Sequence, residues 1–369
     1  MKKFILLTTL LLPLIMFSQT QLGSDINGEA SSDQSGISVS INSDGTKVAI
    51  GAYKNNEGGY SSGHVRVYQY SSSSWSQLGS DINGEAAIDY SGQSVSLSSD
   101  GTVVAIGAPN NDGGGDNSGH VRIYQYSGSS WVQLGDDIDG ESLYDNSGYS
   151  ISLSSDGMVV AIGAIANGGD YTGHVRVYSY YNNQWNQRGA DLDGEATGDQ
   201  SGYSVSLSSD GTKVAIGAPF NDANGKSSSG HVRVYRYDLG SWGQLGADID
   251  GEDAGDRSGN SVSLSSDGTK VAIGAYLNDG GGSDSGHVRV YEYSGSSWSQ
   301  LGSDIDGESL YDNSGISVSL SSDGTKVAIG AYGNDGGGSN SGHVRVYDIL
   351  TPEISSVSLA ADNSTITVT

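Results

Sequence analysis

The chain has 369 residues, of which 57 are glycine, only 16% are charged and none is cysteine. Its formal net charge of −26, from 43 acidic and 17 basic residues, argues against nucleic acid or an anionic membrane as a partner. Without cysteine there are no disulfides, so the fold must be held by its core, by closure of the fold or by bound ions.

Residues 1–18 predict a secretory signal peptide, because Lys2 and Lys3 precede a short apolar run from Phe4 to Phe17. The run is short for a membrane anchor, and no later stretch is apolar enough to cross a bilayer. We therefore expect a protein that is secreted or lies on the outer cell surface, without membrane insertion.

The motif Gly-His-Val-Arg-Val-Tyr, with Ile for the second Val in one copy, occurs six times. It contains every histidine of the chain, and successive histidines are 56, 54, 57, 56 and 56 residues apart. Such a period indicates one supersecondary unit that has been copied, each copy burying its apolar surface against its neighbours. A residue present six times is also more typical of a scaffold than of a unique catalytic group.

The copy at 201–246 predicts four short strands, at 202–208, 213–218, 231–237 and 242–246. A tight Ser-Asp-Gly-Thr turn joins the first two strands, a longer polar loop the next two, and a short turn the last two. Four antiparallel strands in a meander make one propeller blade. The prediction is an all-β, six-bladed β-propeller of four-stranded antiparallel blades over residues 19–350.

The two ends of the repeat array predict how the ring closes. A tryptophan marks the fourth strand of five copies (Trp75, Trp131, Trp185, Trp242 and Trp298), but none follows His343. The matching segment, 20–26, lies directly after the signal peptide. We expect this N-terminal outer strand to pair beside 343–347 and close the ring, which removes the free sheet edges. Residues 351–369 alternate in polarity as two further strands and predict the start of a truncated Ig-like domain.

Three elements of the repeat belong together: Ser-Gly-Tyr-Ser-Val at 201–205, Val-Ala-Ile-Gly-Ala-Pro at 214–219 and 104–109, and the His-Val-Arg-Val-Tyr strand. At these residues the repeats resemble the FG-GAP repeats of integrin-α-like β-propellers in their bacterial form. The resemblance covers residues 20–348 and implies a ligand-binding propeller. The turn after the first strand is too short for the Asp-rich calcium loop of integrins, so that family's calcium sites do not carry over.

An acidic segment, Asp-Ile/Leu-Asp/Asn-Gly-Glu followed by a further Asp, precedes each first strand. Hard cations need several converging oxygens, and this spacing offers them within one turn, so tentative calcium sites are predicted here. The alternative is a purely structural turn, in which the last Asp bonds to the backbone. The predicted ligands are Asp137, Asp139, Glu141, Asp145, Asp191, Asp193, Glu195, Asp199, Asp248, Asp250, Glu252, Asp256, Asp304, Asp306, Glu308 and Asp312. The equivalent earlier positions are Asp25, Asn27, Glu29, Asp33, Asp81, Asn83, Glu85 and Asp89.

Two other repeated features favour a structural interpretation. Alternation places His231, Arg233 and Tyr235 on one face of the third strand, where an arginine between blades would bond to carboxylates or carbonyls. The tryptophans are expected to be partly buried between blades. No nucleophile elbow, zinc cluster or isolated carboxylate pair is visible in the sequence.

Strand parity predicts the binding face. The acidic segments and the loops after the second strands, which vary most between copies, should share one rim, while the Ser-Asp-Gly turns share the other. We expect a non-catalytic binding or adhesion module, monomeric as a domain, that recognises a protein or glycan through the acidic rim. The alternatives are a propeller hydrolase or lyase with an axial site and a passive spacer. Calcium is the only cofactor expected.

Overall fold

The computed structural model describes residues 21–349 and two short strands at 357–359 and 366–368. Residues 21–349 form six antiparallel sheets that follow one another along the chain, which confirms the six-bladed β-propeller. The predicted signal peptide lies outside the described residues. Of the predicted C-terminal domain, only Val357–Leu359 and Ile366–Val368 are described, and they pair antiparallel.

Each blade begins with the three strands that the repeat predicts. The first strands are Ser38–Ile41, Ser94–Leu97, Ser147–Leu153, Ser204–Leu207, Ser261–Leu264 and Ser314–Leu320. The second strands are Lys47–Ala52, Val103–Ala108, Val159–Ala164, Lys213–Ala218, Lys270–Ala275 and Lys326–Ala331. The third strands are His64–Ser71, His120–Tyr126, His174–Tyr181, His231–Asp238, His287–Tyr293 and His343–Asp348.

Blades 1 to 5 add an outer strand in two pieces. The longer pieces are Ser74–Gln77, Trp131–Gln133, Gln184–Gln187, Ser241–Gln244 and Trp298–Gln300. The shorter pieces are Ile82–Asn83, Ile138–Asp139, Leu192–Asp193, Ile249–Asp250 and Ile305–Asp306. The longer piece pairs with the end of the third strand and the shorter piece with its start, so that Asp250 lies opposite His231. Part of the second to sixth acidic segments is therefore sheet, where the sequence predicted only a connection.

Helical structure is almost absent from the described part of the chain. Two single-turn 3-10 helices, Asn167–Gly169 and Ala223–Gly225, lie in the loops after the second strands of blades 3 and 4. Within residues 21–349 and the two C-terminal strands, no helix has the length and apolar character needed to span a bilayer.

Five apolar cores hold neighbouring blades together, one for each consecutive pair. Between blades 4 and 5, Val232 and Val234 pack against Leu264, Val271 and Ile273. Since both faces of an inner blade are covered, the second strands alternate small and branched residues. A Cβ on Gly217 would lie 2.0 Å from the carbonyl oxygen of Gly259 in the next blade, so only glycine fits there.

Hydrogen bonds between neighbouring blades repeat around the propeller beside these cores. The hydroxyl of Ser204 donates to the carbonyl of Gly259 over 2.8 Å. Trp131 Nε1 donates to the carbonyl of Leu78 over 2.7 Å, and its ring is half-buried, which confirms the packing role predicted for the tryptophans. The amide of a serine in each Ser-Asp-Gly turn donates to the equivalent carbonyl of the next blade, from 43 to 99, 99 to 155, 155 to 209, 209 to 266 and 266 to 322.

Blades 6 and 1 do not form the equivalent interface. Among residues 21–349, blade 6 has three strands, and no ladder joins 343–348 to the segment 21–26 that was predicted to close the ring. That segment lies against blade 1, where the Leu22 carbonyl accepts from Trp75 Nε1 and the Asn27 carbonyl accepts from Arg66. It thus makes the contacts that the preceding blade's outer strand makes elsewhere. A cleft separates blade 6 from blade 1, and no other described strand pairs with the outer side of the third strand of blade 6.

Candidate functional site: the acidic rim

The acidic segments and the loops after the second strands meet at one end of the propeller, as strand parity predicted. The amide of Ile88 donates to the carbonyl of Tyr60 over 2.8 Å, and that of Ser91 to the carbonyl of Ser62 over 2.9 Å. These bonds join the second acidic segment to the loop of blade 1. We call this end, formed by the acidic segments and these loops, the acidic rim.

The last aspartate of each acidic segment holds the turn. Asp89 is 3% exposed, and its Oδ2 accepts from the amide of Ala86 over 2.9 Å and from Nδ2 of Asn111 over 3.0 Å. The same turn bonds are made by Asp33, Asp145, Asp199, Asp256 and Asp312. At this position the aspartate therefore has the structural role predicted as the alternative to a calcium ligand. Its carboxylate accepts hydrogen bonds within the turn.

The other acids of one segment point to two different places. Asp137 Oδ2 lies 3.7 Å from Nδ1 of His120, whereas Glu141 Oε1 lies 3.4 Å from the guanidinium of Arg176 in the next blade. Asp139 lies between them, and partial burial together with the charge of Asp137 raises its pKa. In this segment the structure thus does not bring the carboxylates of Asp137 and Glu141 to a single point. Calcium binding by one segment alone stays a prediction.

In blades 1, 2, 4 and 5 the acids that converge come from consecutive segments, and a histidine lies between them. In blade 2, His120 Nδ1 lies 3.9 Å from Glu85 Oε2 and 3.7 Å from Asp137 Oδ2. We call such a set of Glu, His and Asp a rim cluster. Equivalent clusters are Glu29, His64 and Asp81; Glu195, His231 and Asp248; and Glu252, His287 and Asp304. In blade 3 the group is His174, Asp191 and Asp193.

The histidines of these clusters are buried and electrically neutral at pH 7. Burial, together with the charge of the neighbouring Arg122 and Arg289, lowers the pKa of His120 and of His287 to about 4. Burial also lowers the pKa of His64, His174 and His231. A neutral imidazole leaves the two carboxylates beside it uncompensated, so each cluster carries negative charge and a free nitrogen lone pair.

The arginine of the His-x-Arg-x-Tyr face has the structural role that the sequence predicted. Arg122 Nη2 donates to the carbonyl of Asn83 over 2.8 Å, and Nη1 lies 3.3 Å from Glu85 Oε1. Its guanidinium also covers the ring of Tyr124, 5.7 Å from the centroid. The histidine two residues earlier was assigned the same structural role. Its convergence with acids of two segments was missed, although the constant spacing of these residues in every copy was a usable signal.

The acidic rim has an opening at blade 4. A cavity of about 590 Å³ is bounded by residues 195–199 of one acidic segment, 220–224 of the loop, and Asp248 and Asp250 of the next segment. Asn224 Nδ2 donates to Asp250 Oδ2 over 2.7 Å, and Arg257 stacks 3.7 Å from the ring centroid of Phe220. The walls are therefore both charged and aromatic. Phe220 and Asn224 belong to the loop that varies between blades.

The repeats match a known family. Residues 83–124, 192–235, 248–291 and 304–347 match the family described as FG-GAP repeat. The chain therefore carries FG-GAP repeats in a six-bladed β-propeller, as the resemblance implied. The family match ends at residue 347, and beyond it the described residues are two short paired strands that do not by themselves support the predicted Ig-like domain. No curated protein sequence matches this chain.

Several solved structures share the fold. A proposed 6-phosphogluconolactonase of Bacteroides uniformis is 11% identical with a TM-score of 0.58, covering 90% of this chain and 84% of its own. The periplasmic gluconolactonase of Pseudomonas aeruginosa is 16% identical with a TM-score of 0.55 and the same coverage. Hydrazine synthase of Kuenenia stuttgartiensis is 12% identical with a TM-score of 0.54, covering 84% and 82%. At such identities the likeness concerns the fold alone.

Proposed function

We propose that the chain is a non-catalytic binding module of a secreted or cell-surface protein, which recognises a protein or glycan through its acidic rim. The observation that carries the proposal is the cavity at blade 4, where repeated carboxylates stand beside Phe220 and Asn224 of a variable loop. Residues that repeat in every blade and residues that differ between blades thus lie on one surface, as in other loop-based binding sites.

The charge of the rim defines the ligand chemistry. Exposed carboxylates such as Asp139 and Asp193 repeat around the rim, in a chain with 43 acidic and 17 basic residues. Such a concentration of negative potential attracts basic segments and accelerates their association. Carboxylate pairs also accept hydrogen bonds from sugar hydroxyls, and Phe220 adds an aromatic side chain to the cavity wall.

The rival proposals make a different prediction for the rim. A hydrolase or lyase site on the propeller axis would depend on residues distinct to one or two blades, whereas the carboxylate sets of the rim recur from blade to blade. A passive spacer would bind nothing. Neither alternative makes ligand capture depend on the charge of the rim.

The test exploits a substitution that the repeats already contain. Asn27 and Asn83 stand where other copies have aspartate, so Asp139→Asn, Asp193→Asn, Asp250→Asn and Asp306→Asn together should fold normally. The matched control removes four charges from the opposite rim, with Asp44, Asp100, Asp210 and Asp267 changed to Asn. There, Asp44 Oδ1 accepts from the amide of Thr46 over 2.9 Å, a bond that the Oδ1 of asparagine can keep.

Parent and variants are applied to a glycan array and to an array of extracellular proteins, and each hit is measured by calorimetry. We expect the rim variant to bind at least about 10-fold more weakly and the control to bind as the parent does, since electrostatic complementarity acts locally. Equal losses in both variants would show that only net charge matters. The absence of any hit would favour the spacer.

A further inference from the structure

The rim clusters contain buried nitrogen atoms without a partner. In the described residues, Nδ1 of His64 and both ring nitrogens of His174 and His287 are buried and make no hydrogen bond. These three side chains are each 1% exposed. A buried polar atom left unsatisfied is unfavourable, and native structures satisfy nearly all such atoms with protein, water or an ion. The clusters therefore call for a further species between imidazole and carboxylates.

The distances identify that species. Nδ1 of His287 lies 3.8 Å from Glu252 Oε2 and 3.9 Å from Asp304 Oδ2, too far for a hydrogen bond in either case. A zinc-like ion binds nitrogen and oxygen ligands at about 2.0–2.2 Å, which places tetrahedral ligands about 3.4 Å from each other. The ligand atoms of each cluster lie within 4.8 Å of one another, so small side-chain movements would bring them onto one ion.

The donor atoms select the class of metal. Calcium takes six to eight oxygen ligands, whereas an imidazole nitrogen with two carboxylates suits zinc and other first-row transition metals. We propose that the rim clusters are binding sites for a divalent transition-metal ion, with His Nδ1, the Glu of the preceding acidic segment and the Asp of the following one as ligands. This inference is independent of the ligand proposed above.

Differences between the blades rank the sites. In blade 1, the carboxylate of Glu57 joins Glu29, His64 and Asp81, so this cluster offers four ligands and should bind most tightly. The loop of blade 2 has Gly113 at the position of Glu57. In blade 6, His343 Nδ1 lies 3.7 Å from Glu308 Oε2, and no acidic segment follows the third strand within the described residues up to 349.

The sixth cluster would be completed by Asp25. Asp25 accepts from Nε2 of Gln21 over 2.7 Å, as Asp137 accepts from Gln133 over 2.5 Å, so it is the equivalent residue of the N-terminal segment. It reaches His343 only if the segment pairs with blade 6. The number of bound ions thus reports whether the ring is closed.

The experiment uses the full chain without an affinity tag, made metal-free with a chelator and titrated with Zn²⁺ or, separately, with Ca²⁺. We expect Zn²⁺ to raise the melting temperature and to bind with about one equivalent per complete cluster, while Ca²⁺ does neither at the same concentration. Co²⁺ should give the visible absorption typical of mixed nitrogen and oxygen coordination. Binding is followed by calorimetry and by elemental analysis of the dialysed protein.

Single substitutions locate the ions. Asp137→Asn and Asp248→Asn should each remove one equivalent, and Glu57→Gln should weaken the tightest site by about 10-fold or more, because each removes a ligand charge. Asp44→Asn on the opposite rim is the control and should bind as the parent does. The far-ultraviolet circular dichroism of each variant confirms its fold.

Three results would overturn the proposal. The first is no binding of Zn²⁺ at micromolar concentration by the parent chain. The second is equal stoichiometry and equal stabilisation with Ca²⁺, which would indicate that the acidic rim binds calcium. The third is an unchanged Zn²⁺ content in both Asp137→Asn and Asp248→Asn, which would place the ions elsewhere.

Discussion

The interface between blades 4 and 5 and the opening between blades 6 and 1 are built from the same residues, yet only the first is packed. Val234 on the third strand of blade 4 is 1% exposed, whereas Val346 at the equivalent position of blade 6 is 66% exposed. Across the opening, Val39 and Ile41 of blade 1 are 64% and 62% exposed. A repeated sequence thus gives each blade the same two faces but does not by itself bring the last blade to the first.

The opening has the chemistry of an interface that has not formed. A cleft of about 600 Å³ is lined by Val39 and Ile41 of blade 1 and by Val318, Ile329 and Val344 of blade 6. Five neighbouring pairs bury such side chains, and exposure of this many apolar side chains in one place is unfavourable in water. Matched substitutions at the two places measure whether the opening is packed in solution.

The largest difference is expected at the glycines of the second strands. In Gly217→Ala the new methyl group would meet the Gly259 carbonyl at 2.0 Å, whereas in Gly330→Ala its nearest neighbour is the movable hydroxyl of Ser317 at 2.4 Å. We expect Gly217→Ala to lower the free energy of unfolding by about 3 kcal/mol and Gly330→Ala by less than about 1 kcal/mol. Chemical denaturation measures both. Equal losses would mean that blades 6 and 1 pack against each other in solution.

A smaller difference is expected at the valines of the third strands. Val234→Ala leaves a cavity in the core between blades 4 and 5 and should lower the free energy of unfolding by about 2 kcal/mol. Val346→Ala removes methyl groups that are already exposed and should change it by no more than about 0.5 kcal/mol. Chemical denaturation of the two variants gives the comparison, provided that the free energy of unfolding depends on denaturant concentration with the same slope in both. A large loss for Val346→Ala would contradict an open ring.

The smallest difference is expected at the serines of the first strands. Ser204→Ala removes the 2.8 Å bond to the carbonyl of Gly259 and should lower the free energy of unfolding by about 1 kcal/mol. The equivalent bond from Ser317 to Gly36 is not formed in the described residues, where nothing lies within 4 Å of a Cβ built on Gly36. Ser317→Ala should therefore be neutral. Thermal unfolding of both variants is the measurement. If blades 6 and 1 pack against each other in solution, Ser204→Ala and Ser317→Ala would lower the melting temperature equally.

Local and nearest-neighbour features could be predicted from the sequence. The period of the histidines, the alternating strands and the Asp-Gly turns specify a blade because each depends on a few consecutive residues. The packing of the tryptophans and the bonds of Arg122 also followed, since repetition in every copy implies contact with the next copy. Strand parity alone predicted that the acidic segments and the loops after the second strands lie at the same end of the propeller.

Features that depend on the angle between blades could not be predicted. Glu85, His120 and Asp137 lie on three separate stretches of chain, and only the packing of one blade on the next brings their side chains together. Asp137 and Glu141 are close in sequence but belong to different clusters. Ring closure is equally non-local, because 21–26 can satisfy its contacts with blade 1 without reaching blade 6.

The serine amides that link the Ser-Asp-Gly turns have a consequence for how such a gene can change. The four middle turns donate to the next turn and accept from the previous one through main-chain atoms, in a series of five bonds from 43 to 99 and onward to 322. These atoms are the same in every copy, so a unit gained or lost by recombination between the repeats still finds a matching donor and acceptor on both sides. We therefore expect the main-chain contacts between adjacent copies to be the same whatever the number of copies.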